Sequence, residues 1–165
     1  MATRTVASGG GNYNSTSTWV EGAVPTSVDD VVFTATSGSL TINVASSALS
    51  INFTSFVNTI TFDAELTVAG AVNLGTGGYT QAGSFGITVT TTATLTSGGV
   101  IWSRTWNFAG TSSTWTLSGN WTFTGNLTLS GSSSTNINSG TIFVRSNLIV
   151  ANATTAQGTT NYVFE

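Results

Sequence analysis

Asp63 and Glu65 are the one arrangement in this 165-residue chain whose types and spacing suit acid–base chemistry. Two apart on a strand, they would point to the same face, roughly 7 Å from each other. That separation suits an inverting glycosidase, where two carboxylates flank a glycosidic bond and the attacking water. As neighbours of Ala64 and Leu66 they are also expected on an outer wall, where like charges discourage unwanted strand pairing. Asp29 and Asp30, with nearby backbone carbonyls, could hold Ca²⁺, which prefers hard oxygen ligands, or could simply end a loop. Five tryptophans invite a carbohydrate-stacking reading. Trp106, Trp115 and Trp121, however, occupy slots that Leu and Val fill elsewhere in the chain, and Trp102 stands in the same kind of apolar column.

Other chemistries are closed off by composition. The chain has no histidine, no cysteine and no lysine, its three cations being Arg4, Arg104 and Arg145. Nucleophilic catalysis needs a base beside the nucleophile, so the many Ser and Thr hydroxyls read as outward-facing strand residues. A His/Cys zinc site and a phosphate-cradling Gly-rich loop are both missing. The expectation is a protein that is not an enzyme, with no catalytic, cofactor-binding or metal-binding residues.

Only 5% of residues are charged and the net charge is −3, so the chain lacks the basic footprint of a nucleic-acid binder. Hydrophobic content of 39% is ample for a core. Met1 to Thr5 lacks the apolar run of a signal peptide, and no 18 consecutive apolar residues occur, so no membrane partner is expected and synthesis in the cytosol is. Matches to the glycosylation sequon at Asn14, Asn52, Asn120, Asn126 and Asn152 are expected by chance in a chain so rich in Asn and Thr.

What must position all of these residues is a repeat. Leu66, Ile87, Phe108, Leu129 and Val150 stand 21 residues apart, as do Ala64, Phe85, Trp106, Leu127 and Leu148 two places earlier. A second column runs Tyr79, Val100, Trp121, Ile142 and Val163, with Trp102, Phe123 and Val144 two residues on. A third runs Ile51, Val72, Ala93 and Phe53, Leu74, Leu95, then continues with one inserted residue at Trp115, Leu117 and Ile137. Within each stretch apolar residues alternate with Thr, Ser or Asn, the period of a strand with one buried face. Self-similarity at a fixed period marks stacked units that complete one another's core.

These columns predict an all-β, parallel, right-handed β-solenoid with three short strands per coil of about 21 residues. Five to six coils would form a prism roughly 25 to 30 Å long. Its core is expected at Leu66, Ile87, Phe108, Leu129, Val150, Val100, Trp121 and Ile142. Residues 1–30 fall outside the repeat, carry the only proline, Pro25, and read as an irregular cap whose Trp19 and Val20 lie over the open end of the first coil. Residues 31–165 form the solenoid, and the two parts make one domain. An antiparallel sandwich shares the alternation but does not require one period in three columns.

The segment from Gly11 to Pro25, followed by Asp29-Asp30-Val31-Val32-Phe33, resembles the opening of β-helix structural proteins of tailed-phage virions and of some bacterial surface proteins. There a Trp, a Gly-x-x-Pro and an Asp-x-Val step lead into a Thr/Asn/Gly-rich solenoid; Tyr13 stands where such openings often carry a second Trp. The resemblance implies a non-enzymatic virion part, decorating the capsid or belonging to a fibre or spike. Its partners would be other virion proteins and copies of itself, most simply in a homotrimer. Asn161-Tyr162-Val163-Phe164-Glu165 starts another coil without a polar cover, which fits burial against a neighbour. Two alternatives stand beside this reading. A glycan-binding or glycan-cleaving spike module would need exposed aromatics, or Asp63 and Glu65 in a groove; an ice-binding protein would use Thr-x-Thr pairs such as Thr88-Val89-Thr90.

Overall fold

The computed structural model describes residues 1–132, 135–152 and 158–165. Short strands follow one another around three faces and pair in parallel with the strands one coil away. The first face has seven strands, from Thr3–Thr5 and Asp30–Val32 through to Asn136–Asn138, and the third has six, from Ser46–Ala48 to Leu148–Val150. The second face is split into two four-stranded sheets, one ending at Thr80–Gly83 and the other beginning at Ile101–Trp102. About six turns, roughly 21 residues apart, make an all-β parallel solenoid whose single helical element among the described residues is the 3₁₀ turn Thr16–Thr18.

Inside, alternation places one continuous apolar column under each face. Leu66, Ile87, Phe108, Leu129, Trp121 and Ile142 are at most 1% exposed, and Val100 is 8% exposed. Aromatic rings link successive coils: Trp106 lies 5.3 Å from Trp102 and 5.2 Å from Trp121, centroid to centroid, and Phe108 lies 5.0 Å from Trp115. Rings packed edge-to-face at such distances add to the gain from burying their area.

The register departs from an even 21 in the middle of the chain. Ile87 faces Trp106, nineteen residues on, and Val89 faces Phe108, so Ile87 and Phe108 are not the aligned pair that the columns imply. On the first face the offset is reversed, because Leu95, not Ala93, faces Val72. A slide of two residues keeps every inward side chain inward, so the alternation cannot reveal it. Phe85 drops out of its column altogether, standing on a corner with 49% of its surface exposed. Near residue 163 the offset is a single residue: Tyr162 faces Ile142, while Val163 faces Phe143 and points outward. Val150 corrects the expected core in another way. It is aligned with the buried Leu129 yet 54% exposed, because no described coil lies beyond it.

Residues 1–30 are more regular than a loose cap, since Thr3–Thr5 and Gly11–Asn12 add strands to the first and second faces. Tyr13 and Trp19 then cross the end of the prism, their rings 5.1 Å apart and edge-on. Trp19 donates its indole N–H to the Tyr13 carbonyl at 2.9 Å, and the Tyr13 hydroxyl donates to the Ser47 carbonyl at 2.7 Å. Pro25 is buried, whereas Val20 is 67% exposed and covers nothing.

Candidate functional site

The corner between the second and third faces is tight, two or three residues in each coil, and it gathers the chain's sparse charge. Beyond residue 30 the charged residues are Asp63, Glu65, Arg104, Arg145 and Glu165. All five stand on this one edge, just after second-face strands that end at Phe62, Trp102, Val144 and Phe164. Exposed Phe85 occupies the same edge, between the coil of the two carboxylates and that of Arg104.

Asp63 and Glu65 therefore lie in a bend, not on a strand as the alternation suggests. Both are exposed, and the Thr88 hydroxyl donates to Glu65 Oε1. Farther along, Arg145 pairs with Glu165 at 2.6 Å. Arg104 has no carboxylate partner among the described residues. Its Nε donates to Ser103 Oγ at 3.3 Å and its Nη1 donates to the Gly83 carbonyl.

Arg104 lines an open groove of about 360 Å³, together with Gly83, Ser84, Ser103, Thr105, Thr124 and Asn126. The groove lies beside the break in the second face. There Gln81 does the work of a missing peptide: its Nε2 donates to the Ile101 carbonyl at 3.1 Å and its Oε1 accepts the Ser103 N–H at 2.8 Å. Gly83 helps to open the seam. It is aligned with Phe62 at a φ of 87°, and with no side chain there Phe62 reaches Trp102, two coils away, at 5.7 Å.

The other candidates have structural occupations. Asp29 is buried: its Oδ1 accepts the Ala2 N–H at 2.8 Å, and its Oδ2 accepts the Thr26 hydroxyl at 2.9 Å with Arg4 Nε at 3.7 Å. The Thr26 hydroxyl first, then the Ala2 and Thr26 amides and the Arg4 guanidinium, hold this carboxyl below its ordinary range against the opposing push of burial. Asp30, the next residue along, accepts the Ser50 hydroxyl at 2.5 Å. Among the described residues no three His, Cys, Asp or Glu side chains gather as metal ligands would. All five tryptophans are buried, so none is a surface platform. Thr88 is only 8% exposed and Thr90 lies beyond its strand, so this pair is not part of an open hydroxyl ladder. Asn52 Oδ1 is bonded to the Thr54 amide and hydroxyl, which closes that sequon into a turn, and the sequon at Asn152 extends outside the described residues.

A second unusual surface is the end of the prism away from the cap. Val150 is 54% and Phe164 65% exposed, although their partners Leu129 and Val144 belong to the buried columns. Comparison with protein-family models, curated proteins and solved structures finds no match to the chain. Function has to be argued from these two surfaces.

Reading the sequence residue by residue misses the charged edge. Its signal is present nonetheless: Glu65, Phe85, Arg104, Arg145 and Glu165 recur at about one coil or a multiple of it, in phase with the apolar columns.

Proposed function

We propose that this protein is a non-enzymatic structural part of a tailed-phage virion, decorating the capsid or forming part of a fibre or spike. The observation that carries the reading is the open end. Leu148, Val150, Tyr162 and Phe164 line up with the buried columns, and among the described residues no further coil lies over Val150 and Phe164, which are 54% and 65% exposed. Such an end is a template for another polypeptide, whose strands would extend the sheets and whose apolar side chains would close the core. A virion supplies partners of that kind, either capsid or tail proteins or further copies of this chain in a homotrimer. The opening from Gly11 to Phe33 and the parallel coils support the same assignment. So do the faces, where Thr, Ser and Asn alternate with buried residues to give a rigid, hydroxyl-rich wall.

Mass spectrometry of density-purified particles of the encoding phage is the direct test. The protein is expected among the virion components in stoichiometric amounts, and its confinement to the infected-cell lysate would end the proposal. Sedimentation velocity tests the open end separately. Association of the wild-type chain is expected, abolished by Phe164→Asp with Val150→Asp; an unassociated wild type at all concentrations would remove the homotrimer.

A further inference from the structure

We propose that the groove at Arg104 is a binding site for a carboxylate-bearing sugar. Arg104 is the cation left without a carboxylate partner among the described residues, since Arg4 faces Asp29 and Arg145 faces Glu165. Two of its donors are spent on Ser103 and Gly83, which fix the guanidinium, and its Nη2 has no protein partner among the described residues. A guanidinium held in this way, with donors to spare, is preorganised for an oxyanion.

The surroundings narrow the oxyanion to a hydroxylated monocarboxylate. Arg104 is the only charge in the groove; on the same edge Asp63 and Glu65 stand two coils before it and Arg145, already paired with Glu165, two coils after it, so a dianion such as phosphate meets one unpaired cation and two uncompensated anions. The remaining wall is hydroxyl, amide and backbone: Ser84, Ser103, Thr105, Thr124 and Asn126. Those groups both donate and accept, which matches sugar hydroxyls. Phe85 follows the groove-lining Ser84 on the same corner and is 49% exposed, so a sugar held at Arg104 could extend the C–H face of its ring over this flat apolar side chain. A volume of about 360 Å³ lies within the range of small-molecule sites.

The test is an amide NMR titration at low ionic strength with sodium glucuronate, glucose, sodium acetate and sodium sulfate as probes. Glucuronate is expected to give saturable shifts confined to residues 83–85, 103–105 and 124–126. Glucose and acetate should each bind about tenfold more weakly or worse, because each carries half of the recognised chemistry. Phe85→Ala, at an exposed corner, should weaken glucuronate and leave thermal unfolding unchanged; Arg104→Gln should abolish binding. If Arg104→Gln loosens the seam through loss of its bond to Gly83, Phe85→Ala and the probe series still decide. Acetate binding as tightly as glucuronate, sulfate binding more tightly, or no saturable shift with any probe would each overturn the proposal. The virion assignment would survive any of these, since it rests on the opposite feature, the open end.

Discussion

Trp106 shows how much one side chain carries in a core this narrow. Its ring lies within 5.2 to 6.1 Å of Trp102, Phe108, Trp121 and Phe123, so it joins side chains from two successive coils. Trp106→Ala should cost about 3–5 kcal/mol in urea unfolding, because rigid neighbouring coils cannot collapse into the hole. A loss below about 1 kcal/mol would show that the rings do not pack in this way. Asp29 acts on the other side of the balance, through pH. Its folded-state pKa lies below the unfolded value of about 3.9, so its contribution is complete above that value and fades as pH falls through the lower one. Thermal unfolding followed by tryptophan fluorescence should therefore lose an acid-dependent component in Asp29→Asn. The three tyrosines work in the opposite sense, since burial raises all of them and pushes Tyr162 up to about 12. Their stabilisation is present below pH about 10 and is lost as pH climbs through the folded values, so phenolate absorbance should appear together with unfolding. Residue roles of this kind were only partly legible in the sequence. The apolar slots announced Trp106 as core, but nothing local to Asp63 distinguished a strand position from a turn, and burial of Asp29 depends on strand Thr3–Thr5 folding back beside it.

At the scale of strands, the interrupted second face is the informative element. Gln81 replaces the ladder between Thr80–Gly83 and Ile101–Trp102 with its side-chain amide. Gln81→Ala would hand the Ser103 N–H and the Ile101 carbonyl over to water, at a cost of about 0.5–1.5 kcal/mol. Hydrogen exchange should show the change at the Ser103 amide, with its protection falling toward that of exposed corners; unchanged protection would mean that a backbone ladder forms there after all. Alternation made the strands visible and fixed which side chains face inward. It could not fix the register, since sliding a strand by two residues, as at Ile87 and Trp106, leaves the pattern intact. Val163 is the converse case: spacing by 21 put it inward, but the last coil is one residue shorter and Tyr162 takes the place.

Across the whole molecule, stacked coils, three faces and a parallel sense were legible because each coil must repeat the inner wall of the last. The two ends are unlike. Val6, Tyr13 and Trp19 close one, each 2% exposed, while at the other Val150 and Phe164 are exposed with no further described coil over them. A chain lacking residues 1–28 should expose the apolar cross-section at Val31 and Leu40 as well, and size-exclusion chromatography should then show aggregation in place of a discrete species. Between the ends, two faces are hydrogen-bonded without interruption while the second is stitched at mid-length by two side chains, Gln81 and Arg104. Such a rod is not equally stiff in every direction. Under lateral load it resists flexing that stretches the first or third face but yields when the second face is put in tension, opening like a book along the seam at Gly83, with the two intact walls as its spine.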